Sequence, residues 1–424
     1  MVEEGYRVLS NHFRKFSYME LKKATKNFQE ELGRGASGVV FKGVLADERV
    51  VAVKKLGDAH LTEEVFWAEV SIIGKINHMN LVRMWGFCLE PKHRLLVYEY
   101  VENGSLDKHL FSGNVLGWNE RFKVALGTAK GLAYLHHECL EWVIHCDVKP
   151  ENILLDGEFE PKISDFGLAK LSERDRNNSE MSRIRGTKGY MAPDWALNLP
   201  ITAKVDVYSY GVVILELVKG IRLSHWVVED GDEQETELTR FIKVVKRKMQ
   251  VEEMAWVEDT VDTRLNGRFT RIQAKKMIEI GISCVDENRS KRPTMDSIVQ
   301  TLLECEDAVK IHNQIRECYG VVILELVKGI RLSNWVTEDG DEQETELTRF
   351  IKVVKRKMQI EETAWVEDTV DTRLNGHFNR IQAKKMIEIG ISCVDENRSK
   401  RPTMDSIVQA LLECEEGLRI LDQA

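Results

Sequence analysis

The sequence predicts an α+β, two-lobed architecture, and three observations carry it. Residues 29–56 hold the β-branched runs Val39-Val40 and Val50-Val51-Ala52-Val53, the composition of strands in a half-buried sheet. Beyond Tyr100 the apolar spacing becomes helical, over residues 106–111, 118–137 and several segments after 203. Between them stand His145-Cys146-Asp147-Val148-Lys149-Pro150-Glu151-Asn152 and Asp165-Phe166-Gly167. A β-rich lobe followed by a helical one, with the polar motifs between, is an α+β arrangement.

In chain order, Ser17-Tyr18-Met19-Glu20 is a capping box, with Phe16 and Leu21 as its hydrophobic staple. It predicts a helix from about residue 18 to near Asn27. Strands follow over 29–56, split by the polar Ala46-Asp47-Glu48-Arg49. From Thr62 a helix is expected, with Val65, Glu69, Ile72, Ile73 and Ile76 on one stripe. A carboxylate on an apolar face is costly unless paired. Glu69 therefore either pairs with strand-borne Lys54 or snorkels to water as an edge residue. Further on, Ile153-Leu154-Leu155 and Pro161-Lys162-Ile163-Ser164 flank an Asp156-Gly157 turn signal. Such a hairpin returns its second strand to the start of the first and sets Asn152 beside Asp165.

The 424 residues suggest roughly two to three domains. A net charge of -9 argues against a nucleic-acid partner, which calls for a basic face. The eight cysteines form no CxxC pair, the pattern of reduced thiols. Met1-Val2-Glu3-Glu4 lacks the basic start of a signal peptide, and Val2 excludes myristoylation. The longest apolar run, 210–218, contains Glu216 and falls short of the ~20 residues a membrane helix needs. A cytoplasmic chain without a transmembrane segment is expected.

The polar motifs fit phosphoryl transfer, which needs a carboxylate to orient a hydroxyl, a nearby cation and oxygen ligands for magnesium. Asp147 supplies the base, Lys149 the cation, and Asn152 with Asp165 the hard donors that Mg²⁺ prefers. Leu32-Gly33-Arg34-Gly35-Ala36-Ser37-Gly38-Val39-Val40 has the GxGxxGxV form, whose glycines let backbone amides approach phosphates. Alone it is equally a ligand-free hairpin turn; the suitably spaced Val51-Ala52-Val53-Lys54 strengthens the phosphate reading. His145 supports the loop by packing, and Asp165 is either a turn residue before Gly167 or a metal ligand.

On these motifs the chain resembles eukaryotic-type protein kinases, and in particular the kinase domains of the S-domain group of plant receptor-like kinases. Phe16-Ser17-Tyr18 with Leu21, Ala24, Thr25 and Phe28 is similar to their juxtamembrane lead-in. Asn77-His78-Met79-Asn80-Leu81-Val82 with Gly86-Phe87-Cys88 is similar to their linker after the regulatory helix. The resemblance covers about residues 16–309. It implies a bilobal protein kinase fold: a lead-in at 1–28, then a kinase domain at 29–309 with its N-lobe at 29–101 and its C-lobe at 102–309. It implies ATP and Mg²⁺ as cofactors, protein substrates, membrane receptor complexes as partners and a place at the inner face of the plasma membrane. Leu32, Gly33, Gly35, Gly38, Val40 and Ala52 then surround the nucleotide, and Lys54 contacts its α and β phosphates with Glu69 as ion-pair partner. Tyr98 resembles the gatekeeper, and Glu99 and Val101 offer hinge contacts to adenine. Thr187 bridges Asp147 and Lys149, Asp206 anchors the catalytic-loop backbone, and Arg292 is the large-lobe arginine. The Asp147-Val148-Lys149-Pro150-Glu151-Asn152 context is that of serine/threonine kinases. The rival reading is a pseudokinase or scaffold that binds without turnover.

Two positions depart from the family. Cys146 stands where many members carry an arginine that binds a phosphorylated activation loop, so this is the non-RD pattern. Strong dependence on a phosphate at Ser172, Ser179 or Ser182 is not expected. Asp194, in Met191-Ala192-Pro193-Asp194, replaces the usual glutamate. One methylene shorter, it predicts a strained or water-bridged pair with Arg292.

Residues 210–306 recur as 319–415 with seven differences in 97 positions. The second copy has no glycine loop, Val-Ala-Val-Lys, catalytic loop or Asp-Phe-Gly, and Ile315 stands where Asp206 would be, so it is not a second kinase. Val321, Val322, Ile323, Leu324, Leu326 and Val327 call for burial, at roughly 1.5 to 3 kcal/mol each. Three outcomes are open: an additional helical bundle, competition with 210–306 for one lobe, or absence from the natural product. The acidic run 229–237 reads as a solvated loop.

Overall fold

The predicted capping box opens the first helix, Tyr18–Ala24: Ser17 Oγ accepts from Glu20 N, and the Glu20 carboxylate accepts from Ser17 N at 2.7 Å. The helix stops before Asn27 because Lys26, Asn27 and Phe28 all take left-handed φ values, of 48°, 63° and 58°. Phe16 and Leu21 bury together with Val51, Val53, Leu95 and Val97, so the lead-in packs against one face of the sheet. This computed structural model describes residues 13–421 except 36–37, 58–65, 68, 71, 74–75, 114, 140–141, 173–185, 198, 225, 228–234, 251–255, 333–334, 337–343, 360–364, 396–400 and 403.

That sheet has six strands: β1 (Arg14–Lys15), β2 (Glu31–Gly35), β3 (Gly38–Val44), β4 (Val50–Leu56), β5 (Met84–Glu90) and β6 (His93–Glu99), ordered β1-β5-β6-β4-β3-β2. β1 runs parallel to β5, fixed by Phe16 N donating to Phe87 O at 2.9 Å, and the other pairings are antiparallel. Strand alternation turns Val51 and Val53 toward the lead-in and Ala52 and Lys54 to the opposite face. The register sets Lys54 between Val40 and Leu96, and Ala52 beside Tyr98. The start of the helix expected from Thr62 lies outside the described residues. Phe66, Trp67, Glu69, Val70, Ile72 and Ile73 are helical, and Phe66 meets Phe87 edge-on at 6.1 Å.

The helical lobe centres on Lys204–Lys219, buried along nearly its whole length and closed by Gly220 in the left-handed conformation. Helix Arg271–Cys284 crosses it closely: a Cβ on Gly211 would stand 2.5 Å from the Cys284 Cβ, so only glycine fits there. Helix Trp118–Ala133 packs on another face, where Tyr210 Oη donates to Ala125 O at 3.1 Å. The helix expected to reach His137 ends at Ala133 and continues as a π-helical turn, Tyr134–Glu138. Strand β7 (Trp142–Ile144) leads into the catalytic loop, β8 (Ile153–Leu155) and β9 (Pro161–Ile163) form the expected hairpin, and β10 (Lys170–Ser172) pairs back onto β7.

Residues 306–424 form a second compact unit. Its core gathers Leu324, Val327, Leu332, Val354, Trp365, Val366 and Ile387. The close helix crossing recurs, Gly320 against Cys393 and Gly390 against Leu324. Of the six residues expected to need burial, Ile323, Leu324 and Val327 find it, whereas Val322 and Leu326 are exposed.

Candidate active site

The catalytic loop is shaped by one buried carboxylate. Asp206, on the central helix Lys204–Lys219, accepts from His145 N at 2.7 Å and Cys146 N at 2.8 Å, and lies 2.9 Å from His136 Nε2. All its surroundings are dry, as its zero exposure shows. These charge-assisted bonds hold Cys146 at φ 64°, a left-handed backbone that costs a non-glycine residue about 1–3 kcal/mol. His145 Nδ1 accepts from Asp147 N at 3.3 Å, which leaves Nε2 protonated to donate to Ser164 O at 3.0 Å. The ring also meets Phe166 edge-on at 4.9 Å. His145 is thus a loop-supporting core residue tying the Asp147 and Asp165 segments together.

The Asp147 carboxylate sits where three groups converge. Thr187 Oγ1 donates to its Oδ1 at 2.6 Å and accepts from Lys149 Nζ at 2.6 Å. Lys149 Nζ is 2.8 Å from Oδ2, and Asn152 Nδ2 donates to Oδ2 at 3.0 Å. Thr187 lies between the carboxylate and the ammonium. The hairpin puts Ile153 opposite Ile163, with Ser164 N donating to Asn152 O at 2.8 Å, so Asn152 just before β8 and Asp165 just after β9 lie at the same end of the hairpin. Because the Asn152 amide nitrogen faces Asp147, its oxygen is turned away. Asp165 also holds a left-handed φ of 64°.

On the sheet side, Lys54 Nζ stands 2.7 Å from Glu69 Oε1 and 2.8 Å from Asp165 Oδ1. Glu69 is paired and fully buried, which excludes the snorkelling alternative. Burial works against the Lys54 charge, but Glu69 and Asp165 outweigh it and hold the ammonium above the usual lysine range. Burial pushes the Glu69 carboxyl up to about 7, against the pull of Lys54. Asp165 moves the other way: Lys54 overcomes its desolvation and keeps it below the usual carboxylate range.

Tyr98 Oη donates to Glu69 Oε2 at 3.2 Å, a contact that the sequence does not disclose because it depends on sheet register. Leu32, Gly33 and Gly35 lie on β2 and Gly38 and Val40 on β3, with Gly33 opposite Val40 and Gly35 opposite Gly38. Gly38 has a φ of 147°, and a Cβ there would meet the Lys55 carbonyl oxygen at 2.3 Å. The Glu99 N–H donates to Arg83 O at 2.9 Å, and the Val101 carbonyl accepts from Gly104 N at 3.3 Å.

Arg292 and Asp194 correct the expectation of a strained or water-bridged pair: they meet directly at 2.8 Å, both buried. Three backbone carbonyls, of Lys204, Asp286 and Glu287, fix the guanidinium, and Asp194 reaches it with Oδ2 while Oδ1 has no partner among the described residues. Cys146 packs among Ile144, Ala192, Trp195 and Val205, where burial holds its thiol well above the usual range. Ser172 ends β10, and Ser179 and Ser182 lie outside the described residues.

Residues 27–303 match the family model of the protein kinase domain. The chain is 58% identical over 308 residues to a putative receptor protein kinase, ZmPK1, of Zea mays, covering 72% of this chain and 38% of that protein. Over 306 residues it is 45% identical to the G-type lectin S-receptor-like serine/threonine-protein kinase SD2-2 of Arabidopsis thaliana, covering 71% and 38%. Over 297 residues it is 46% identical to the G-type lectin S-receptor-like serine/threonine-protein kinase LECRK4 of Oryza sativa subsp. indica, covering 69% and 36%. The chain therefore spans little more than a third of the length of these relatives. Among the described residues, no helix is long and apolar enough to cross a membrane.

Proposed function

Since this chain belongs to the protein kinase family, we propose that it transfers the γ-phosphoryl group of ATP to serine and threonine hydroxyls of proteins. The observation that carries this reading is the shared geometry of Asp147 and Lys149 on the catalytic loop, both bonded to Thr187, and of strand-borne Lys54 paired with Glu69 and Asp165. Lys54, held by Glu69, binds the α and β phosphates. Leu32, Val40 and Ala52 enclose the adenine, whose edge bonds the Glu99 carbonyl and the Val101 backbone, with Tyr98 behind it. Glycines 33, 35 and 38 let the hairpin backbone close over the phosphates.

Asp147 accepts a hydrogen bond from the substrate hydroxyl through its carboxylate and takes the proton as the bond to phosphorus forms. Lys149, kept in place by Thr187, offsets the negative charge on the transferring group. Asn152 and Asp165 would hold Mg²⁺, which when bound would supply positive charge against the phosphates. Asp165 suits that place because it stays ionised.

Asp147, Asn152, Asp165, Lys54 and Glu69 together favour turnover over the scaffold alternative. The non-RD character of Cys146 implies activity without an activation-segment phosphate, and membrane receptor complexes are the expected partners on the strength of the relatives' names. Incubation with γ-labelled ATP and Mg²⁺ should label serine and threonine in a mixed peptide pool, before and after phosphatase treatment of the enzyme. Label on tyrosine alone, or on nothing, would contradict the assignment; loss of turnover after phosphatase would contradict the non-RD reading alone.

A further inference from the structure

Arg222 stands beside the catalytic loop and takes no part in phosphoryl transfer. Gly220, in the left-handed conformation, closes the central helix, and the chain then turns so that Leu223 N donates to Glu216 Oε1 at 2.8 Å. Arg222, between them, reaches back to the loop. Its Nη1 lies 2.6 Å from Glu151 Oε1, and its Nη2 lies 3.7 Å from Oδ2 of Asp107, on the helix Leu106–Leu110. The guanidinium carbon stands 4.5 Å over the ring of Phe111, where that helix ends. Burial works against the charge, but Glu151 outweighs it and holds the guanidinium above the usual arginine range.

Glu151 follows Lys149 and Pro150 and precedes Asn152, so it belongs to the rim of the site. A chain of contacts closes that rim. Asp147 is bonded to Thr187; Tyr190, a little further along the same segment, donates to Glu216 Oε2 at 2.9 Å; Glu216 accepts from Leu223; and Arg222 returns to Glu151. Behind the loop lies the dry anchor Asp206, and on the sheet side lie Lys54 and Asp165, where the phosphates belong. A peptide that brings a hydroxyl to Asp147 therefore crosses the rim, and the side chains flanking its acceptor pass Glu151. An open carboxylate there would select arginine or lysine through a charge-assisted bond. Here Oε1 is held by Arg222, and Oε2 is shut from solvent with no partner among the described residues. An incoming cation finds neither oxygen.

We propose that Arg222 is a specificity-determining residue: it fills, from within the chain, the place that a basic substrate side chain would take on Glu151, so arginine or lysine beside the phosphoacceptor brings no advantage. The inference rests on the kinase reading and extends it to substrate class, namely serine and threonine peptides not marked by flanking basic residues. A cation approaching Glu151 meets a guanidinium of its own sign, which rejects the basic competitor while leaving uncharged flanks untouched.

The second unit supplies the contrast. Gly329-Ile330-Arg331-Leu332 repeats Gly220-Ile221-Arg222-Leu223, and Leu332 N likewise donates to Glu325 Oε1 at 2.8 Å. That unit has no catalytic loop and so no counterpart of Glu151, and Arg331 is exposed. The turn after the helix is the same in both, so it is the carboxylate of the loop that draws Arg222 down.

Transfer from γ-labelled ATP to pairs of serine peptides, identical but for arginine or alanine at one position flanking the serine, tests this as a ratio of kcat/KM. In the parent the arginine peptide should be no better than its alanine partner at any position. Arg222→Ala and Arg222→Gln should each raise the ratio about 10- to 100-fold at one position or more, through a lower KM for the arginine peptide, because a charge-assisted bond to Glu151 becomes available. Adding Glu151→Gln to Arg222→Ala should abolish that gain. A parent that already prefers an arginine peptide by about tenfold, or folded variants whose ratio does not move, would overturn the proposal and leave the kinase assignment standing. No label on any peptide would overturn both.

Discussion

Replacing Asp206 by alanine should release the catalytic loop. The carboxylate is fully buried and takes two backbone amides, of His145 and Cys146, at 2.7 and 2.8 Å. Truncation leaves both N–H groups without a partner in a dry site, at about 1–3 kcal/mol each, so the expected loss is about 2–6 kcal/mol of unfolding free energy. His136, whose Nδ1 has no partner among the described residues, loses its contact as well. Cys146 then relaxes from its left-handed backbone and carries Asp147 with it. A displacement of about 1 Å at a reacting group costs on the order of a hundredfold in rate. Urea unfolding followed by tryptophan fluorescence, with kcat measured on the same preparation, reads both effects. A change under about 1 kcal/mol together with an unchanged kcat would refute the anchoring argument.

Three further outcomes follow from the geometry. Thr187→Val removes a hydroxyl bonded at 2.6 Å to both Asp147 and Lys149, and should lower kcat about 10- to 100-fold while leaving KM for ATP unchanged in steady-state assays. Asp194→Ala strands the buried Arg292 and should cost about 3–5 kcal/mol in thermal or urea unfolding; a loss under about 1 kcal/mol would mean the pair carries little. Glu216 is buried beside Tyr190 and Leu223, and burial raises its carboxyl from 4.5 to about 7. The folded chain thus keeps a proton that the unfolded chain gives up above about pH 4.5, so this stabilisation is complete below that pH and is lost as pH rises to about 7. The stability advantage of the parent over Glu216→Gln should fall by about 2–3 kcal/mol from pH 5 to 8, and a pH-independent difference would contradict the assignment.

What could be read from the sequence was local. Asp147 and Lys149 stand in one short polar motif, Asn152 and Asp165 flank a hairpin whose turn signal sets them side by side, and Ser17 and Glu20 mark a helix start three residues apart. The apolar stripe left Glu69 two choices, pairing with Lys54 or snorkelling to water, and the structure takes the first. Contacts set by distant chain stayed hidden. Strand β1 has two exposed basic residues and no alternation, and it forms because the edge of β5 offers it bonds. Tyr98 reaches Glu69 only once β6 lies beside β4. The wide turn after Ala133 leads to His136, whose ring ends on Asp206, 70 residues on. Asp194 looked too short for Arg292, but the arginine is held by carbonyls from elsewhere and waits at the right distance. Val322 and Leu326 repeat the buried Val213 and Leu217 letter for letter and are exposed, because burial belongs to the neighbour and not to the residue.

The central claim, that Asp147 is the base of an active phosphoryl-transfer site, is tested most directly by Asp147→Asn, which keeps the size of the side chain and removes its charge. Label transfer from γ-labelled ATP to a serine peptide should fall by about 10²–10⁴-fold, with nucleotide affinity and melting temperature close to those of the parent. Equal transfer by the two proteins would contradict the account.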